Sequence, residues 1–168
     1  EAERLYWDGV LAKRNLALVQ LMLQTGLRVG EVAALRREDI QLGVRAGSVR
    51  VRAGKGLKGR QLPLNATARR ALQRYRETLL EAGSQTPLFL SKRQTPLSVR
   101  AMQNVIAELA RHAGIARIPV SAHTLRHSFA VNYLKSNPGN LIDPPGLRAH
   151  ERLVTPPITP PPPPDGRA

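Results

Sequence analysis

The sequence predicts a mainly α-helical domain with a small antiparallel β-sheet, an α+β fold. Three observations carry that expectation. Apolar residues recur at helical spacing in several separate stretches. Two short runs, 47–52 and 60–64, flank a glycine-rich connector, as the arms of a β-hairpin do. Residues that start helices (Asn65, Ser98, Ser121) and residues that stop them (Gly26, Gly114) fall at the edges of the periodic stretches.

The elements follow in order. Val10 to Gln24 reads as a helix whose Leu11, Leu16, Leu18, Val19, Met22 and Leu23 form a broad apolar face, ended by Gly26. Val29 to Leu35 starts a short second helix with Glu31 in its first turns. From Gly47 to Arg52, Val49 and Val51 alternate with Ser48, Arg50 and Arg52, a strand with one buried face. Gly54 to Gly59 is the connector, and Arg60 to Leu64 the returning strand, so the hairpin has a mobile tip. Asn65 caps a helix over Ala66 to Ala82, with Ala68, Ala71, Leu72, Tyr75 and Leu79 at the 3.6-residue period. Pro87 to Leu90 is a short strand candidate. Ser98 caps a helix to about Ala113, stopped by Gly114. Ser121 or Thr124 opens a last helix that runs to about Lys135 and ends at Asn137-Pro138-Gly139. From Pro144 the composition changes: nine of the 14 prolines lie there, five of them consecutive at 160–164. Residues 1–143 are therefore expected to form one domain, and 144–168 a Pro-rich, extended or disordered tail.

Charge narrows the function. The net charge is +14 over 168 residues. Three arginines against Glu151 and Asp165 give the tail only +1, so residues 1–143 carry +13. A domain so basic points to a polyanion, nucleic acid first. Only six aromatic residues are present, which argues against single-strand binding by base stacking. The lack of cysteine excludes disulfides and thiolate metal sites. No apolar run approaches the roughly 20 residues of a membrane helix, and no signal peptide is visible. Glu1 in place of Met leads to the expectation of a further N-terminal segment.

Several residues carry chemistry. Arg28 follows a helix-ending glycine, which suits a phosphate clamp, since a guanidinium binds phosphate by two parallel hydrogen bonds and keeps its charge. Lys55 sits at the hairpin tip with Lys58 nearby. A flexible ammonium there can reach over a bound phosphate and protonate a departing 5′ oxygen. His123 and Arg126, three residues apart, share one face of a helix. Taken singly, each reads as an ordinary surface cation, a polar turn or a structural histidine. Taken together, two guanidinium forks and an imidazole can hold a phosphodiester and stabilise charge that develops during transfer.

The set resembles the catalytic domain of the tyrosine recombinase (phage integrase) family. The resemblance rests on Thr25-Gly26-Leu27-Arg28-Val29-Gly30-Glu31, on Ala34-Leu35-Arg36 and Asp39, and on the Gly-Lys-Gly-x-Lys-x-Arg-x-x-Pro-Leu string at 54–64. It rests above all on His123-Thr124-Leu125-Arg126-His127-Ser128-Phe129-Ala130. It covers 10–143 well and 144–160 weakly. It implies a tyrosine recombinase catalytic-domain-like fold and site-specific DNA recombination or integration, by strand cleavage and rejoining through a 3′-phosphotyrosyl intermediate. Arg28, Lys55, His123 and Arg126 would be catalytic and would converge on one basic concavity. Lys58 and Arg60 would contact DNA, while Glu31 and His127 would be structural. No metal or nucleotide cofactor is implied, because arginines supply the positive charge. The implied partners are double-stranded DNA and sister protomers in a homo-oligomer on DNA, with no membrane. The implied location is a bacterial or phage-type cytoplasm, and an N-terminal core-binding domain would normally complete the DNA clamp.

The resemblance strains at the C-terminal end. Leu147-Arg148-Ala149-His150 matches the family's Leu-Gly-His segment with Ala149 for Gly, which makes His150 a further catalytic candidate. Nine residues on, where the family has its nucleophilic tyrosine, stands Thr159, and no tyrosine follows Tyr133. Tyr133 itself reads as core. Covalent recombination is therefore not expected of the chain as written. The alternative is a non-catalytic duplex-binding module that keeps the fold. A third reading is a helical scaffold whose Pro-rich tail binds aromatic grooves.

Overall fold

A computed structural model of the chain describes residues 2–138 apart from 53–58, 80–82, 84 and 116. Its elements are α1 (Ala2–Thr25), α2 (Val29–Ala33), β1 (Ile40–Leu42), β2 (Gly47–Val51), β3 (Arg60–Pro63), α3 (Ala66–Arg76), α4 (Val99–His112) and α5 (Ala122–Ser136). A 3-10 turn at Arg37–Asp39 leads into β1. The fold class is the one the sequence predicts. Most of the Gly54–Gly59 connector and the whole Pro-rich tail lie outside the described residues. Among the described residues, no helix is long and apolar enough to cross a membrane.

α1 is the helix on which α3, α4 and α5 pack. It buries Ala17, Leu18, Leu21 and Met22 on one face. Ala68, Ala71, Leu72 and Tyr75 of α3 join them in one core, with Val49, Val51 and Leu62 from the sheet. A fully buried Leu-sized side chain contributes about 1.5–3 kcal/mol, against about 0–1 for an exposed ion pair, so this seam holds the domain. The sheet runs β1-β2-β3, all antiparallel, with Ile40 opposite Val49 and Val49 opposite Leu62.

The caps read from sequence are made as hydrogen bonds. Asn65 Oδ1 accepts from Ala68 N at 2.9 Å, and Ser98 Oγ from Ala101 N at 3.2 Å. Ser121, rather than Thr124, is the cap of α5. Its Oγ accepts from Thr124 N at 3.3 Å while Thr124 Oγ1 accepts from Ser121 N at 3.2 Å. Gly26 ends α1 at φ +64, donating to Met22 O at 2.9 Å.

Five expectations are corrected. α1 begins well before Val10, at Ala2. Leu16 is 46% exposed, because the buried stripe of α1 runs through Ala17 and Leu21 instead. α3 stops at Arg76, and Leu79 lies beyond it. There Thr78 N and Oγ1 both bond to Tyr75 O, at 2.9 and 2.6 Å, and tighten the chain into a turn. Pro87 and Leu90 make single bridges, to Arg36 and Pro96, rather than a strand. Tyr133 is half-buried and outside the core, its ring tilted at 41° and 6.0 Å from Phe129.

α1 also buries Arg14, whose Nη1 donates to Leu90 O at 2.9 Å and whose Nε and Nη2 bond Asn15 Oδ1. Burial pushes the Arg14 guanidinium down from its ordinary value and the Tyr75 hydroxyl up. Tyr75 stacks on Phe89 at 5.7 Å and accepts from Leu90 N at 3.3 Å.

The turn after α1 sets where α5 can lie. A Cβ at Gly26 would lie only 2.3 Å from Cδ1 of Phe129 in α5. Gly26→Ala therefore meets both a left-handed backbone and a steric overlap. It is expected to destabilise the domain by about 2–4 kcal/mol in denaturant unfolding. A change below about 1 kcal/mol would show that α5 is not seated on this turn.

Candidate functional site

Arg28 lies in the extended link between α1 and α2, at φ −71 and ψ 146. Its N–H donates to Glu31 Oε2 at 2.9 Å, so the acidic residue of the Arg-x-x-Glu string closes the first turn of α2. Its side chain is half-buried.

Arg126 arrives from α5, 98 positions later. Its Nη1 donates to the carbonyl of Gly26, two residues before Arg28. The second arginine is thus held at the turn that carries the first. Leu125 and Ala122 are buried beneath α5, and Phe129 packs on Gly26, so α5 is fixed on the side that brings Arg126 there. His123, in the first turn of α5, is exposed and shares a helix face with Arg126. His127 is exposed on the same helix, and Ser128 Oγ turns inward to bond Thr124 O at 2.9 Å.

The hairpin is braced at both roots, one against this turn and the other against the 3-10 turn at Arg37–Asp39. At the start of β3, Arg60 Nη2 meets Glu31 Oε1 at 2.7 Å. Glu31 therefore joins the backbone of Arg28 to the hairpin arm. At the end of β2, Arg52 Nε meets the fully buried Asp39 at 2.9 Å, and its Nη2 meets Glu38. Asp39 Oδ2 also accepts from Arg36 N at 2.9 Å. The Arg52 guanidinium holds the Glu38 carboxyl below the usual carboxylate range, and Asp39 with Glu38 raises Arg52 in turn.

Of the residues singled out from sequence, Arg126 is bonded to the turn that leads into Arg28, and His123 lies on the helix face of Arg126. Arg60 is bonded to Glu31. Lys55, Lys58, His150 and Thr159 lie outside the described residues. Sequence reasoning missed Arg52 and its two carboxylates. The signal was present in Arg50 and Arg52 alternating with the buried Val49 and Val51, and in Glu38-Asp39 just before a short apolar run. A guanidinium fixed on a backbone carbonyl, as that of Arg126 is, can meet an anion with little ordering left for binding to supply.

Comparison with known proteins followed from this geometry. The model of the phage integrase family matches residues 4–141. The chain is 32% identical over 158 residues to the tyrosine recombinase XerC of Syntrophus aciditrophicus (strain SB), covering 88% of this chain and 49% of that protein. It is 40% identical over 126 residues to the tyrosine recombinase XerD of Chlorobaculum tepidum, covering 73% of this chain and 40% of that protein. The chain thus spans about half the length, or less, of the curated relatives it matches. The crystal structure of XerA recombinase aligns with TM-score 0.66 at 28% identity, over 81% of this chain and 47% of that one. XerH site-specific recombinase bound to difH substrate, in a pre-cleavage complex, aligns with TM-score 0.64 at 25% identity, over 76% of this chain and 37% of that one.

The Glu31 bridge gives a test of the site's build. Glu31→Ala leaves the Arg60 guanidinium without its carboxylate and the Arg28 N–H without its acceptor. A loss of about 1.5–3 kcal/mol in unfolding free energy is expected. Glu31→Gln, which still accepts from Arg28, is expected to lose less. Equal losses would show that the backbone bond contributes nothing.

Proposed function

The chain belongs to the phage integrase family, and on that premise we propose that its Arg28–Arg126 turn grips a phosphodiester of duplex DNA during site-specific strand cleavage and rejoining. The observation that carries the proposal is the bond from Arg126 to the Gly26 carbonyl, which holds the second cation at the turn of the first. In this reading Arg28 and Arg126 bind the two non-bridging oxygens and stabilise the charge that grows on them in transfer. His123 donates a hydrogen bond at the same phosphate. Lys55 protonates the leaving 5′ oxygen, and His150 adds a further donor. Lys58 contacts the DNA backbone. Arg60 serves the DNA face through the hairpin root that it braces against Glu31.

The relatives named as recombinases favour this reading over a duplex-binding module that has shed the chemistry. The full reaction also calls for sister protomers on the DNA, one for each strand cut, and a nucleophile. Thr159 holds the nucleophile position in the family match. A threonine hydroxyl is far less acidic than a phenol, and Pro156, Pro157 and Pro160 disfavour a helix that would present it. The grip on the phosphate and the covalent step are therefore proposed as separable properties of this sequence.

Two outcomes test this. Duplex DNA is expected to bind with weak sequence preference and an affinity that falls with salt, the log–log slope being about −0.9 per neutralised phosphate. Arg28→Ala is expected to weaken binding by roughly 1.5–3 kcal/mol in fluorescence anisotropy. Binding that ignores salt, or a variant as tight as the original, would overturn the phosphate grip. Separately, a nicked suicide duplex incubated with the chain as written is expected to give no protein–DNA adduct on a denaturing gel. An adduct that maps to Tyr133 would reassign that residue as the nucleophile.

A further inference from the structure

Among the described residues, α3 carries a dense set of arginines with few acids beside them. Four of its 11 residues are arginines, and none is acidic. Arg69 is used internally: its stem lies over Gly47, and its Nη1 donates to Gly43 O and Val44 O. The other three differ. Arg70 and Arg74 crown the outer face of the helix, one turn apart, and Arg76 lies on its flank, all three exposed. Among the described residues, none of the three has a carboxylate within ion-pair distance. Glu77, at the end of the helix, accepts from Gln73 Nε2 at 3.1 Å instead.

That pattern contrasts with the arginines around the hairpin. Arg52 is held by Asp39 and Glu38, and Arg60 by Glu31. On α3, like charges one turn apart disfavour the helix, and no intrahelical acid relieves them. Burial of Ala68, Ala71, Leu72 and Tyr75 on the opposite face sustains the helix despite this.

The helix also points in a useful direction. Asn65, its cap, donates from Nδ2 to Gln24 Oε1 at 2.6 Å, so α3 starts beside the end of α1, next to the turn of Arg28. Its other end reaches the level of Arg14, where Tyr75 Oη accepts from Leu90 N and Leu90 O accepts from Arg14. From Arg70 to Arg74 the pair spans about 6 Å along the helix. Along one strand of a duplex phosphates follow at roughly 3.4 Å of axis, so a pair of this span faces about two.

We propose that the Arg70–Arg74 pair on the outer face of α3 is a second phosphate contact, engaging the flanking arm of the same duplex that the Arg28–Arg126 turn grips. This rests on the DNA-binding reading above. The two arginine forks of Arg70 and Arg74 on one face, with no apolar anchor beside them, suit a phosphate backbone rather than a base-reading contact.

The experiment compares four proteins on a duplex of roughly 30 base pairs, with affinity followed against salt. Arg70→Gln with Arg74→Gln is expected to reduce the magnitude of the log–log slope by about 1.8, two phosphates at 0.9 each. Arg70→Lys with Arg74→Lys keeps the charge and is expected to keep the slope. Arg111→Gln with Arg117→Gln removes the same charge elsewhere and is expected to leave the slope unchanged. Glutamine is a good helix former, and matching thermal unfolding checks that α3 remains intact. An unchanged slope in the α3 glutamine pair overturns the inference and leaves Arg70 and Arg74 to an acidic protein or to solvent. Equal losses in both glutamine pairs overturn it in favour of diffuse charge. Failure of the unmodified chain to bind at all overturns the DNA-binding reading itself.

Discussion

Gly26 is the constraint on which the candidate site depends. Three demands meet at this residue. The chain must leave α1 in the left-handed region, at φ +64, to reach Arg28. The space above its Cα is occupied by the Phe129 ring. Its carbonyl accepts from Arg126. Glycine alone satisfies the first two without strain. The third follows, because Phe129 and Arg126 are neighbours on one helix, and seating one places the other. Gathering cations at a turn costs free energy, and burial of Leu125, Ala122 and the α1 seam offsets it. Packing, rather than any attraction within the site, therefore brings the charges together.

The acids of this basic chain act as joints. There are 12 acidic residues against 26 basic ones, and three of the acids, Glu31, Glu38 and Asp39, brace the hairpin roots. Arginine rather than lysine suits these joints. One guanidinium of Arg52 spans two carboxylates, through Nε and Nη2, which a point-like ammonium does less well. Asp39 is fully buried, so leaving it unpaired would cost about 3–5 kcal/mol, far more than an exposed pair contributes. The hairpin arms are thereby held in register with α2, and through Glu31 with the backbone of Arg28.

How much of this could be read in the sequence follows from the range of each interaction. Asn65, Ser98 and Ser121 were legible as caps because a cap is made within three residues. Gly26 was legible as a stop for the same reason, and the strand at Gly47–Val51 by its alternation. β1 was not legible. Three residues show no period, and Ile40–Leu42 becomes a strand only by pairing with Gly47–Val49. The end of α3 was misread because Leu79 continues the apolar period while Thr78 breaks the backbone ladder. Arg14 drew no notice in the sequence and Tyr133 was misplaced, both for a different reason. Arg14 is buried because its partner, Leu90 O, lies 76 positions away, and Tyr133 rests on Phe129 beside the core rather than inside it. At the site, Arg28, His123 and Arg126 were legible as a motif, but the bond that joins Arg126 to Gly26 spans 100 positions and belongs to the fold.

The same geometry bears on what a phosphate grip can and cannot contribute to a reaction. Guanidinium groups keep their charge across the working pH range, so the proposed phosphate grip does not depend on protonation elsewhere. Holding a ground-state phosphodiester and a transition state equally well would raise affinity without raising rate. The arginines accelerate transfer only to the extent that charge increases on the oxygens they touch, and that requires a nucleophile to attack and a donor to protonate the leaving oxygen. In the proposed reading those two tasks fall to other residues: Lys55 at the hairpin tip, and the position that Thr159 occupies. A turn fixed by packing against Gly26 can therefore persist as a binding device even where the attacking group is a poor one. In the proposed reading, this is why intact arginines are compatible with a threonine at the nucleophile position.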